Sequence, residues 1–137
     1  MIAAVVLAAL TLHVTAPVTR SASPSCEFVI VAKVVEGGSQ RTCLTSVRGY
    51  PGADAVIHSS GTMTFTLKRG TIRARVVVTQ RFDADGRTAR QTLTGTITGG
   101  TRAYAGARGT VSGGGTLVDT ASGLRNLKLL YRLALRG

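Results

Sequence analysis

Apolar and polar residues alternate along most of this chain, and a period of two is typical of β-strands that bury one face. The clearest segment spans residues 62–67, where Met63, Phe65 and Leu67 alternate with threonines. The last segment, 127–135, has Leu or Tyr at every second position. The pattern predicts seven or eight strands and no helix.

Short turns separate these segments, and the run Asp83-Ala84-Asp85-Gly86 is a hairpin signal. Short connections make neighbouring strands antiparallel, and such a sheet has one apolar face toward the core and one polar face toward solvent. A single open sheet would leave its dry face and two edges exposed, whereas closure into a barrel covers all three. We therefore predict an all-β fold, a small antiparallel closed barrel of about eight strands. A two-sheet β-sandwich is the alternative.

The N-terminus has the composition of an export signal. Residues 1–12 are almost wholly apolar, and a small, polar stretch follows at 19–25. The apolar run is shorter than the roughly 20 residues that a membrane span needs, and it suits the core of a signal peptide. No Lys or Arg precedes it, unlike the usual signal peptide. We predict a signal peptide over 1–25, one barrel domain over 26–137, and a secreted, extracellular protein. A buried N-terminal helix or strand is the alternative.

Two cysteines, Cys26 and Cys43, follow this segment. An even pair in an exported chain predicts a disulfide, here between the first two strands of the predicted domain. Closing so short a loop contributes about 3 kcal/mol in the chain-entropy model. A reactive thiol or a metal ligand is the alternative, which the lack of a third Cys or a nearby His disfavours.

The formal net charge is +11, from 17 basic residues against 6 acidic ones. The arginines are spread along the chain rather than clustered, and Trp is absent. Nucleic-acid binders cluster their basic residues and interleave aromatics for stacking, so we predict no specific nucleic-acid partner. The net charge alone predicts weak contact with anionic polymers, cell walls or lipid headgroups.

One turn carries a family resemblance. The segment Gly99-Gly100-Thr101-Arg102-Ala103-Tyr104-Ala105-Gly106-Ala107-Arg108-Gly109 resembles the glycine loop of the allene oxide cyclase and dirigent barrel superfamily, in its exported bacterial members. The opening Gly-Gly-Thr, the aromatic Tyr104 and the closing 106–109 match, and the likeness covers about 61–135. Arg102 departs from the pattern, which usually has glycine there. If that position has a positive φ, the arginine costs about 1 kcal/mol or more.

The resemblance implies a small barrel with an apolar pocket, which binds a hydrophobic small molecule without a cofactor. It also implies an alternative, a cofactor-free cyclase or isomerase that steers ring closure by holding its substrate in one shape. Whether the chain is an enzyme, and its oligomeric state, stay open. Only His58 remains outside the predicted signal peptide. We therefore expect no metal site and no Ser-His-acid triad.

Candidate site residues follow from the faces of the predicted strands. Glu27 and Tyr131 are the catalytic candidates, because such chemistry needs a carboxyl or phenol facing a dry cavity. A core tyrosine bonded locally is the alternative for Tyr131. The inward-facing apolar residues predicted to line a ligand pocket are Met63, Phe65, Leu67, Val76, Val78, Leu93 and Tyr131. Further polar candidates are Asp54, Asp119, Tyr50 and Tyr104.

Overall fold

A closed, eight-stranded antiparallel barrel is the fold of the computed structural model, which describes residues 8–120 and 123–136. Each strand pairs with the next in the sequence, and the last pairs with the first. The strands are β1 (Ala8–Ser23), β2 (Cys26–Val34), β3 (Ser39–Arg48), β4 (Val56–Leu67), β5 (Gly70–Phe82), β6 (Thr88–Gly100), β7 (Arg108–Thr120) and β8 (Gly123–Arg136). The predicted barrel is thus confirmed, and the sandwich is excluded.

The first strand lies inside the segment predicted as a signal peptide. β1 pairs with β8 from Ala8↔Leu135 to Thr15↔Lys128, and with β2 on its other side. Leu12 and Val14 are buried in the core, whereas the intervening His13 is exposed. This part of the chain forms a strand because its residues alternate from Leu10 onward, which matches the alternative of a buried N-terminal strand. Cleavage after residue 25 stays a prediction, and such cleavage would remove β1.

An ion pair fastens β1 to the turn between β2 and β3. The Glu36 carboxylate lies 2.7 Å from His13 Nδ1, and it also accepts a hydrogen bond from the backbone N–H of His13. Slight burial raises the pKa of Glu36, but the hydrogen bonds from His13 outweigh it and bring that pKa below its usual value.

The inward faces of the strands fill the middle of the barrel with apolar side chains. Phe65 and Ile72 are fully buried, and Tyr131 retains 1% of its accessible surface. The rings of Phe65 and Tyr131 meet edge to face, with centroids 6.0 Å apart. Gln40 and Thr42 are buried among these residues and hydrogen-bond to each other. The threonines that alternate with apolar residues on β4 face outward, as do those at positions 92, 94, 96 and 98 on β6.

Three consecutive glycines lie in the middle of β7, and their backbone requires that residue type. Gly113, Gly114 and Gly115 have φ of 151°, 156° and 154°. A β-carbon on Gly114 would lie 1.8 Å from the carbonyl oxygen of Gln91 on β6. Only glycine lets the two strands approach this closely here.

The glycine loop leaves β6 and enters a 3-10 turn at Arg102–Tyr104. Arg102 has φ of +53°, so the residue that replaces the usual glycine does adopt the left-handed region. Tyr104 is half-buried and packs against the core, where it anchors the loop. No helix among the described residues is long and apolar enough to cross a membrane.

The predicted disulfide between Cys26 and Cys43 is present and joins β2 to β3. It closes a separation of 17 residues. Reduction is therefore expected to lower the free energy of unfolding by about 3 kcal/mol. The measurement is thermal unfolding with and without a reductant. A variant with both cysteines changed to alanine is the control, and its midpoint should not respond to the reductant. Equal midpoints of the oxidised and reduced wild-type protein would contradict the expectation.

Because the strands alternate in direction, the connections gather at two ends. One, here called the 49–55 end, carries the connections at 24–25, 49–55 and 83–87. The other, the 101–107 end, carries the connections at 35–38, 68–69 and 101–107. The two ends differ in what they expose.

Candidate functional site

A cavity of about 350 Å³ opens at the 49–55 end. This volume lies within the range of small-molecule sites, about 300–1,000 Å³. It exists because the core packs fully only in the middle of the barrel. Its described lining residues are Glu27, Phe28, Ile30, Leu44, Val47, Gly49, Tyr50, Pro51, Ile57, Ser59, Gln80 and Asp119.

The cavity wall is largely apolar and comes from three neighbouring strands. β2 contributes Ile30, β3 contributes Leu44 and Val47, and β4 contributes Ile57. Phe28 lies at the rim with 38% of its surface exposed. This wall can bury a hydrophobic ligand at about 25 cal/mol per Å² of apolar surface.

A few polar groups converge on the same cavity. Glu27 enters from the start of β2, and Asp119 from the end of β7. Tyr50 stands in the connection after β3 and is 87% exposed. Ser59 is buried on β4, and Gln80 is half-buried on β5. An apolar wall with a small number of placed polar groups is the usual composition of a small-molecule site.

A chain of hydrogen bonds leads from the cavity into the core. Gln80 Nε2 donates to Gln91 Oε1 at 3.0 Å, and Gln91 Nε2 donates to the Tyr131 hydroxyl at 2.9 Å. Burial raises the pKa of Tyr131 far above its usual value, and the hydrogen bond from Gln91 offsets this only in part. Tyr131 is therefore a neutral phenol at physiological pH.

The structure places the two catalytic candidates in different surroundings. Glu27 is exposed and lines the cavity. Tyr131 lies in the packed core and reaches the cavity only through the two glutamines. Among the further candidates, Asp119 and Tyr50 line the cavity, whereas Asp54 lies in the 49–55 connection with φ of +58°.

The residues predicted to line a pocket lie in the middle of the barrel. Six of the seven retain at most 4% of their accessible surface, and Leu67 is half-buried. None of them is among the described lining residues of the cavity. Sequence reasoning did not predict the apolar wall of this cavity, because alternation gives the face on which a side chain lies but not which part of the barrel stays open. The one signal was a local excess of aromatic and Pro residues, Phe28 and Tyr50-Pro51, beside turns.

No metal site accompanies the cavity in the described part of the chain, where no three His, Cys, Asp or Glu residues form a cluster that could hold an ion. His58 on β4 is exposed, and its Nδ1 atom lies 3.4 Å from the hydroxyl oxygen of Thr79.

Comparisons with known proteins give one structural match. A scan with protein-family models and a search of curated proteins find no match. A search of solved structures finds the pterocarpan synthase dirigent protein GePTS1, with 14% sequence identity and a TM-score of 0.39. The alignment covers 99% of this chain and 87% of that chain. At this identity and TM-score the match carries no argument about this chain.

Proposed function

We propose that this protein is an exported barrel that binds a hydrophobic small molecule in the cavity at the 49–55 end. One observation carries the proposal: an apolar cavity of about 350 Å³ stays open at the end of an otherwise packed barrel. The disulfide between Cys26 and Cys43 supports an extracellular location, because such bonds persist in oxidising compartments.

The polar rim supports a ligand with hydrogen-bonding groups at one end and an apolar body. Glu27 and Asp119 enter from strands that lie apart in the sheet, while Ile57 and Leu44 belong to the apolar wall. A ligand seated between them buries its apolar part against β3 and β4. Its polar groups then meet the carboxylates.

Filling the cavity is expected to abolish binding. Val47 is half-buried on the wall, and Val47→Trp places a bulky ring in the cavity. We expect the affinity for the bound molecule to fall at least about tenfold, the equivalent of 1.4 kcal/mol. Native mass spectrometry identifies the molecule that co-purifies with the wild-type protein, and titration calorimetry then measures its affinity for each variant.

The matched control is Val77→Trp, which adds the same ring to the outer wall, where Val77 is 56% exposed. Its affinity should equal that of the wild type. Equal affinities of the Val47→Trp and Val77→Trp variants would overturn the proposal.

A second candidate function is a cofactor-free isomerase or cyclase. The observation that favours it is that a carboxyl, Glu27, and a phenol, Tyr50, line the same cavity as the apolar wall. Such groups can move a proton while the wall restricts the substrate to one shape. Isomerisation leaves the mass of the ligand unchanged, so chromatography of the co-purified molecule before and after incubation reveals it. Glu27→Gln should stop the conversion and leave binding intact, whereas Glu36→Gln, at the opposite end of the barrel, should change neither.

A further inference from the structure

Two arginines converge on one glycine at the outer wall near the 101–107 end. Gly99, near the end of β6, pairs with Arg73 on β5. A β-carbon on Gly99 would lie 3.7 Å from Arg73 Nη2 and 3.8 Å from Arg108 Nη1. The two exposed guanidinium groups therefore lie close together over Gly99, whose backbone is buried beneath them.

Positively charged side chains lie close together around Gly99 without a neighbouring carboxylate in the ranges that the structure describes. Arg108 on β7 lies directly opposite Arg136 on β8, and like charges in opposed positions destabilise a sheet. The ion pair between His13 and Glu36 lies elsewhere in the barrel, and none among the described residues includes Arg73 or Arg108. Neither Arg73 nor Arg108 thus has a carboxylate partner in those ranges.

The hydrogen-bonding capacity of the two arginines is largely unused by the protein. Arg108 Nη1 donates to the carbonyl oxygen of Ala107 at 2.8 Å. Each guanidinium has five N–H donors in a planar fork, which matches the oxygens of phosphate, sulfate or carboxylate groups. Two such forks close together fit a tetrahedral oxyanion better than a planar one, because its oxygens can accept hydrogen bonds from two directions at once.

We propose that the guanidinium groups of Arg73 and Arg108, which lie side by side over Gly99, form a binding site for a tetrahedral oxyanion, phosphate or sulfate. A side chain at position 99 would contact both guanidinium groups, because a β-carbon there already lies within 4 Å of each. The site lies at the opposite end of the barrel from the cavity, so its test does not depend on the outcome of the small-molecule proposal. The same chemistry serves a free ion or a sulfated or phosphorylated polymer.

The decisive variant is Gly99→Asp, which places a carboxylate between the two guanidiniums. Gly99 does not have a positive φ, so the substitution leaves the backbone unstrained. Inorganic phosphate is the probe, compared with sodium chloride at equal ionic strength. We expect phosphate to raise the unfolding midpoint of the wild type above the chloride value, since a ligand that binds the native state stabilises it. In Gly99→Asp the phosphate effect should vanish, while the midpoint without phosphate rises above that of the wild type.

The matched control is Gly52→Asp, which makes the same change in charge at a position with nothing within 4 Å. This variant should keep the full response to phosphate. Equal responses of the Gly99→Asp and Gly52→Asp variants would overturn the proposal, because general screening of the net charge would then explain the effect.

A second pair of variants covers the case in which Gly99→Asp does not fold. Arg73→Gln with Arg108→Gln should remove the phosphate response. The single variant Arg132→Gln, on the exposed face of β8, should retain it. A double variant that still responds like the wild type would contradict the site.

Dextran sulfate separates the two sources of the oxyanion. If a polymer is the natural partner, Gly99→Asp should bind dextran sulfate at least about tenfold more weakly than Gly52→Asp, a difference of 1.4 kcal/mol. If the site takes free ions, the two variants should bind dextran sulfate equally while only Gly99→Asp loses the phosphate response. Both results support the site, and they differ in the partner that they assign.

Discussion

Deleting residues 1–25 is expected to abolish folding of the barrel. The deletion removes β1, which pairs with β8 at eight positions and also with β2. β2 and β8 would then become edges with unpaired N–H and C=O groups, which favour aggregation. The core would also lose Leu12 and Val14, which are buried. Far-UV circular dichroism and thermal unfolding should show no cooperative transition.

Adding the missing strand as a separate peptide provides the control. A peptide of residues 8–25 should restore a cooperative transition, because it supplies the same backbone pairs in trans. A truncated chain that unfolds cooperatively at the wild-type midpoint would contradict the expectation. The same logic bears on export, since cleavage after residue 25 would release the strand that closes the sheet. N-terminal sequencing of the exported protein decides whether the folded form retains β1.

Replacing Tyr131 with alanine is expected to lower the free energy of unfolding by about 3–5 kcal/mol, the usual cost of removing a large buried aromatic. Its ring packs edge to face against Phe65, and its hydroxyl accepts a hydrogen bond from Gln91. Tyr131→Phe keeps the ring but leaves the Gln91 amide without that acceptor, so its cost should be about 1–3 kcal/mol. Urea denaturation monitored by circular dichroism measures both values.

Tyr50→Ala is the control for this comparison, because Tyr50 is 87% exposed and its removal should change stability by no more than about 0.5 kcal/mol. If Tyr131→Ala were no more costly than Tyr50→Ala, the core packing described for the barrel would be wrong.

Strand content and closure could be predicted because one simple rule governs them. In β4 and β5, threonine or arginine alternates with apolar residues, and the side chains of each set lie on one side of the sheet. The same rule does not predict β1, because residues 3–10 are all apolar and hide the alternation that begins with Thr11. Hydrophobicity without a visible period cannot separate a buried strand from a signal peptide.

The cavity could not be predicted in the same way. Alternation says which side chains point inward, but not whether their combined volume fills the space between them. Met63, Phe65 and Leu93 fill the middle of the barrel, whereas the open volume lies at one end. Glu27 and Asp119 are distant in the sequence, and only the register of the closed sheet brings them to one cavity. The Arg73 and Arg108 pair depends on the register as well, through the irregularity of β6 between Gly99 and Ile97.

The hydrogen-bonded series Gln80, Gln91 and Tyr131 has a practical consequence. The chain contains three tyrosines and no tryptophan, so its ultraviolet emission comes from phenol rings alone. Tyr50 stands at the cavity, and Tyr131 is joined to it through two amides. We expect a molecule that enters the cavity to change the emission of Tyr50 by direct contact and that of Tyr131 through the two glutamines. The protein thus carries an intrinsic optical reporter of occupancy that needs no label.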